Sequence, residues 1–338
     1  MEDMSGNRVI VVGASAGGVE ALRQLVAGLP EDLTAAVAVV LHVPRAAPSA
    51  LPRILSRSGA LPAAVASDGD SLRPGRIYVA PTDHHLLVTE GRARVTRGPT
   101  ENGHRPAVDP LFRSAARAYG PRAIGVVLSG SRDDGAAGLA AICRAGGTTL
   151  IQDPDDALHP SMPRAAATHT TPDHVLPAHA MGALLAKLAR TPVRGESPAD
   201  PLRDAEVQMA AMAPITSDEL PGRPAGLGCP SCGGALWQLE AEPVLRFRCR
   251  VGHAWSPETL LEEQAIAVEG ALWTALRALE EKSALSRRLA DSAAARGREL
   301  VRERYRSAAD EAEQAGVVLR QIIERGDAIP DGTPSAAL

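Results

Sequence analysis

Aromatic side chains make up only 2% of the 338 residues, and no basic stripe is interleaved with them. A surface that tracks a nucleic-acid backbone needs positive charge together with stacking rings. Here 36 Lys and Arg stand against 40 Asp and Glu, a formal net charge of -4, which argues against nucleic acid as a partner. No stretch reaches the roughly 18 apolar residues of a membrane span. Nor does the N-terminus show a charged segment followed by a long apolar run and a cleavage site. These absences predict a soluble, cytoplasmic chain with no direct membrane insertion. Cysteine is scarce as well, at four residues. Cys229, Cys232 and Cys249 crowd into one short window while Cys143 stands apart, a distribution that suits a metal site better than a disulfide framework.

What is present is a 45% hydrophobic content, enough for one sizeable core plus a smaller module. From residue 8 to about 190, short β-branched runs alternate with helix-like segments. The runs are VIVVG (9–13), AVAVVL (36–41), RIYVAP (76–81), HLLVTE (85–90), AIGVVLSG (123–130) and TTLIQD (148–153). Alternation of this kind predicts an α/β fold, a doubly wound and mostly parallel sheet in a Rossmann-like three-layer arrangement. The expected domains are a catalytic domain over 1–192, a Pro/Gly-rich linker that packs little over 193–228, a Cys-containing module over 229–256 and a helical hairpin or coiled tail over 257–326. A disordered C-terminus is expected over 327–338. Within the tail, Leu261, Val268, Leu272 and Leu279 recur at helical spacing and form one apolar stripe, with a break near Gly297.

The turn GASAGG (13–18) admits several readings. A P-loop requires Lys and Ser/Thr after its last glycine, and Val19 and Glu20 follow instead. A dinucleotide fold wants an acidic residue at the end of the second strand, where this chain has His42. A glycine corner with an incidental serine is the plain alternative. Ligands of an open α/β sheet bind outside the carboxyl ends of its strands. Ser15 follows the first strand, His42 the second, and Asp133 and Asp134 a later one. A hydroxyl, an imidazole and a carboxylate on one crevice can perform nucleophilic catalysis, the imidazole taking the hydroxyl proton and the carboxylate fixing the imidazole. Adjacent His84 and His85 read as a surface turn and QDPDD (152–156) as a solvated one, while Cys143 reads as a buried helical cysteine.

Six segments in order, GASAGGVEAL, LHVP, GRIYVAP, HRPAVDPLFRSAA, LSG with DDGAAGL, and QDPDDALHPSMP, resemble the catalytic domain of CheB-type protein-glutamate methylesterases. The resemblance covers about residues 8–185. It implies hydrolysis of γ-glutamyl methyl esters on the cytoplasmic helices of methyl-accepting receptors, with methanol released and with receptor glutamines deamidated. It also implies that Ser15 is the nucleophile, His42 the base and Asp134 the carboxylate, because the family's Asp directly precedes a glycine, here Gly135. Asp133 is then a solvated neighbour. Backbone N–H groups of Ala16, Gly17 and Ser131 are the expected oxyanion donors, although the family often has Thr at the position of Ala16 and Met at that of Ser131. Arg105 and Arg113 are candidate substrate contacts. No cofactor is expected for catalysis. Only eight residues precede the first strand, so no receiver domain is expected there. The competing reading is a non-catalytic signalling scaffold on the same fold.

In the second module Cys229-x₂-Cys232 is followed, after sixteen residues, by Cys249-x₃-His253. Three thiolates and one imidazole on two knuckles supply the tetrahedral set of a structural zinc, with no open position for catalysis. The segment resembles a zinc ribbon of the kind that, with a helical tail, accompanies some stand-alone CheB-like proteins. Its expected job is to organise the tail or to recruit a protein partner. Because Ser15 and the metal ligands belong to different modules, metal removal is expected to leave chemistry on a small ester largely unchanged.

Overall fold

A computed structural model describes residues 8–45, 49–193, 195, 197–213, 222–239 and 244–325. The central sheet has seven strands: β1 (Val9–Ala14), β2 (Ala36–Leu41), β3 (Ala63–Val65), β4 (Ile77–Val79), β7 (Ala123–Val127), β8 (Thr148–Gln152) and β9 (His174–Leu176). Their order is β3-β4-β2-β1-β7-β8-β9, and every pairing is parallel. Every residue of β1 and β2 is buried, because the sheet is covered on both faces. Alternation along β1 sends Ile10 and Val12 into a core with Leu22 and Leu25 of α1 (Gly18–Ala27). That core also takes Leu55 of α2 (Leu51–Ser58) and Leu185 of α6 (Ala178–Arg190). Val9 and Val11 face the opposite core, with Leu111 and Phe112 of α3 (Val108–Tyr119), Leu139 of α4 (Ala136–Arg144) and Met162 of α5 (Ser161–His169).

HLLVTE does not join this sheet. It forms β5 (His85–Thr89), which pairs antiparallel with β6 (Arg92–Thr96) as a separate hairpin. Leu86 and Val88 of β5 are buried in the core on the α3 side. The expected linker also differs from its reading. Within it lies α7 (Pro201–Ala210), capped by the Asp200 carboxylate accepting from the Arg203 N–H and burying Glu206, Val207 and Met209. Its polar composition is consistent with packing because the buried charges are paired with other segments. Cys143 is exposed near the end of α4 rather than buried.

The Cys-containing module is a four-stranded antiparallel sheet of β10 (Arg223–Gly228), β11 (Ala235–Leu239), β12 (Arg246–Cys249) and β13 (Ala254–Trp255). It is not a detached bead. Arg246 and Arg248 of β12 join Glu206 of α7, Arg113 of α3 and Glu101, which lies ahead of α3, in a cluster in which all five side chains are buried. The division into two compact units falls between Thr259 and Leu260, so the ribbon belongs with the α/β domain. The second unit is formed by most of α8 (Pro257–Ala295) and by α9 (Glu299–Arg325). They meet at Gly297, whose φ is 66°, and pair antiparallel through Arg287 with Glu313 and Arg320 with Glu280. No helix among the described residues is long and apolar enough to cross a membrane. The disordered C-terminus expected over 327–338 lies outside the described residues.

Candidate active site

Order reverses between β1 and β7: the chain fills one side of β1 with β2, β4 and β3, then crosses to β7 and continues outward. The crevice beside that switch point is where ligands of open α/β sheets bind. Ser15 leaves the end of β1 and His42 the end of β2, the His42 N–H donating to the Ala14 carbonyl at 3.1 Å. The turn after β1 must be glycine-rich for steric reasons. A Cβ on Gly13 would lie 2.2 Å from Val108 Cγ1, and one on Gly17, at φ 71°, would lie 2.7 Å from Ser129 Oγ. Ser129 locks the turn from the β7 side: its carbonyl accepts from the Ser15 N–H at 2.9 Å, and its hydroxyl donates to the Ala16 carbonyl at 2.8 Å.

His42 stands between the other two groups. Its Nδ1 lies 3.1 Å from Ser15 Oγ, and its Nε2 lies 2.7 Å from Asp134 Oδ2. With the carboxylate accepting from Nε2–H, the neutral ring presents the Nδ1 lone pair to the serine hydroxyl. Asp134 is almost wholly buried, which pushes its carboxyl up. The hydrogen bond and charge of His42 and the Val108 N–H at 2.7 Å outweigh burial and hold it down at about 2. The Asp109 N–H adds a second backbone donor at 3.2 Å, so the N-terminus of α3 caps this carboxylate. Asp109 returns the favour to α4, its Oδ1 accepting from Gly135 and Gly138 N–H at 3.1 Å and 2.6 Å. Burial and the Asp134 charge push the Asp109 carboxyl up to about 8.

The N–H groups of Ala16, Gly17 and Ser131 have no acceptor among the described residues. Ser131 is exposed in the loop after β7 and Gly130 lies against Ser15, so these donors border the crevice. Arg113 does not. Arg113 is 1% exposed, its guanidinium bound to Glu101 at 2.5 Å and 2.6 Å. Arg105 is held by Asp83 at 2.7 Å and 3.0 Å and by the carbonyls of Arg97 and Gly98. Arg113 is thus a buried structural ion-pair partner, which corrects the substrate-contact expectation for it, whereas Arg105 keeps part of its side chain exposed. His85 is not in a surface turn either: it is fully buried between the Pro99 carbonyl and the Ala107 N–H. Asp133 is half-buried rather than free in solvent. It accepts from the hydroxyls of Ser256 at 3.0 Å and Thr259 at 3.1 Å.

His104 was overlooked by sequence reasoning, although it opens the segment HRPAVDPLFRSAA. Its ring stacks on His42 with centroids 3.8 Å apart and planes within 10°. Burial, then the neighbouring His42, pushes its imidazole down to about 4, so it is neutral at pH 7.

The Cys₃His set is also brought together, with all four ligand atoms within 4.8 Å of one another. Cys232 and Cys249 sulfurs are 3.7 Å apart, and Cys249 Sγ is 3.5 Å from His253 Nδ1. A tetrahedron with bonds of about 2.3 Å to sulfur and about 2.0 Å to nitrogen has edges of about 3.8 Å and 3.5 Å, so these residues fit a zinc-sized ion. Burial and the adjacent Cys229 push the Cys249 thiol up to about 11. A bound cation removes that penalty by stabilising the thiolates.

The CheB methylesterase family profile matches residues 10–185. A protein-glutamate methylesterase/protein-glutamine glutaminase of Anaeromyxobacter dehalogenans is 44% identical over 187 residues, 54% of this chain and 51% of that protein. One from Xanthomonas campestris is 41% identical over 175 residues, 51% of this chain and 49% of that protein. The chain thus spans about half the length of the curated relatives it matches. The crystal structure of the Thermotoga maritima CheB methylesterase catalytic domain superposes with a TM-score of 0.52 at 31% identity, covering 54% of this chain and 98% of that one. With a doubly wound sheet, a serine, histidine and aspartate at its switch point, and a family match over more than half its length, the chain belongs to the CheB methylesterase family.

Proposed function

We propose that this chain is a serine-type carboxylesterase that hydrolyses γ-glutamyl methyl esters on the cytoplasmic helices of methyl-accepting receptors and deamidates glutamines there. The observation that carries this reading is His42 bridging Ser15 at 3.1 Å and Asp134 at 2.7 Å. Ser15 Oγ attacks the ester carbonyl and His42 Nδ1 takes its proton, while Asp134 steadies the imidazolium through Nε2–H. The N–H groups of Ala16 and Gly17, joined by that of Ser131, receive the oxyanion. As the tetrahedral intermediate collapses, the C–O or C–N bond breaks and His42 gives the proton to the departing methoxide oxygen or amide nitrogen, releasing methanol or ammonia. It next deprotonates the water that frees the glutamate carboxylate and restores Ser15.

In the same reading the ribbon holds one structural zinc through Cys229, Cys232, Cys249 and His253. The ion supplies charge that keeps the thiolates together and much of the ribbon's folding free energy. Exposed Leu261 and Val268, with nearby Trp273, make the tail a surface for a protein partner. The deciding experiment incubates full-length protein and its Ser15→Ala variant with methylated receptor cytoplasmic domains and follows methanol. Release by the wild type and none by the variant supports the reading. Equal release by both, or by neither, overturns it.

A further inference from the structure

The turn that carries His104 has two working faces. Asn102 and Gly103 both lie at positive φ, 50° and 75°, and Glu101 and His104 close the turn through backbone hydrogen bonds of 2.8 Å and 3.2 Å. An Asn-Gly pair suits this geometry. On the inner face the His104 ring lies flat on His42. A ring contact of that kind limits how far His42 can tilt away from Ser15 Oγ, and a neutral His104 does not oppose the charge that His42 gains during acyl transfer.

The outer face is held by the ribbon, at residues adjoining its metal ligands. Ala254 follows His253. Its carbonyl accepts from the Asn102 N–H at 2.8 Å, and its own N–H donates to the Thr100 carbonyl at 3.3 Å. Ser256 N–H donates to Asn102 Oδ1 at 2.8 Å. Arg248 precedes Cys249 and spans the Gly252 carbonyl, inside the knuckle between Cys249 and His253, at 2.7 Å and the Glu101 carboxylate at 2.9 Å. A separate link runs from the hydroxyls of Ser256 and Thr259 to Asp133, the neighbour of Asp134. The ligand knuckle and the imidazole of the site are therefore joined by one short run of hydrogen bonds and a ring stack.

We propose that His104 is a positioning residue for His42, and that the metal-binding knuckle holds it there through Arg248, Ala254 and Ser256, so that Ser15 reactivity follows metal occupancy. This rests on the esterase reading above. It replaces the expectation that metal removal leaves chemistry on a small ester largely unchanged.

The test reads Ser15 directly with a small fluorophosphonate. An Oγ–P bond forms, the P–F bond breaks, fluoride leaves and the hydroxyl proton passes to His42. Full-length protein is compared loaded with zinc alone and after chelation, with amide hydrogen exchange measured over residues 100–106. Misplacing a catalytic base or losing a supporting contact slows such steps roughly ten- to hundred-fold. We expect chelation to slow labelling by that factor, in the maximal rate constant rather than in reagent affinity, to speed exchange over 100–106, and to be reversed by zinc. Zinc-loaded His104→Ala should label at the slow rate and lose its response to chelation, whereas His104→Phe, which keeps a flat ring, should retain most of the wild-type rate. Should chelation unfold the whole chain, zinc-loaded Asn102→Gly decides, since it keeps the turn but loses the acceptor for Ser256, and several-fold slower labelling is expected. Wild-type labelling rates in the chelated folded protein, in His104→Ala or in Asn102→Gly overturn the proposal alone. No labelling of zinc-loaded wild type overturns the esterase reading with it.

Discussion

Glu206→Gln is the sharpest test of whether the ribbon and α7 are integral to the α/β domain. Glu206 is 1% exposed and accepts from Arg246 at 2.5 Å and 2.8 Å and from Arg248 at 2.9 Å, with Arg113 Nε at 3.8 Å. Although burial opposes ionisation, these guanidinium groups hold its carboxyl far below the ordinary carboxylate range. Three guanidinium groups, Arg113, Arg246 and Arg248, face two carboxylates, Glu101 and Glu206. The substitution leaves three facing one and turns an amide NH₂ toward donors. Breaking a buried pair from one side costs about 3–5 kcal/mol, a large share of the roughly 5–15 kcal/mol that holds a domain folded. The assay is urea unfolding of the zinc-loaded full chain, followed by amide exchange in β1 and β7. Glu206→Met combined with Arg246→Met leaves two guanidinium groups facing one carboxylate and should recover most of the loss. A Glu206→Gln loss below about 1 kcal/mol would refute the reasoning, because the cluster would then be hydrated rather than closed.

Asp134→Asn should lower methanol release by about 10⁴-fold, since an amide no longer selects the Nε2–H form of His42; Asp133→Asn, whose side-chain oxygen can still accept from Ser256 and Thr259, should cost far less, and steady-state rates on one methylated substrate compare them. Metal analysis of untagged protein should find about one zinc per chain, reduced by Cys229→Ser or His253→Ala and unchanged by Cys143→Ser, which lies outside the cluster. Stability should fall as pH drops from about 6.5 to about 4, because the unfolded chain binds a proton at His104 that the folded chain refuses until about pH 4. The effect is on the order of 3 kcal/mol at most. Urea midpoints across that window should be flatter for His104→Phe than for wild type, and parallel curves would contradict the assigned burial.

The parts of the molecule that were legible in the sequence are those whose signal is local. VIVVG and AVAVVL are continuous β-branched runs because both faces of β1 and β2 are covered, and Ser15 and His42 could be placed from the ends of those runs. The helical break at Gly297 is equally local. HLLVTE misled because a run buried under a neighbouring helix looks the same whether it pairs in the main sheet or in a hairpin beside it. Asp133 and Asp134 differ only in what other segments bring to them: the N-terminus of α3 for one, Ser256 and Thr259 for the other.

Charge pairing between distant segments leaves no period to read. Glu101 and Arg248 are 147 residues apart and Glu206 and Arg246 are 40 apart, so a segment rich in Pro, Gly and acidic residues reads as a linker even though its Glu206 pairs with arginines of a later strand. The only local hint lay in RFRC (246–249), where two arginines at alternate positions share one face of a strand whose residues are all buried. Buried arginines on a small ribbon require carboxylates from outside it, because a ribbon of this size cannot compensate them alone. That requirement is what turns a module that looks separable into part of the α/β domain's own framework, and it places the Cys/His knuckle within reach of the histidine pair at the crevice.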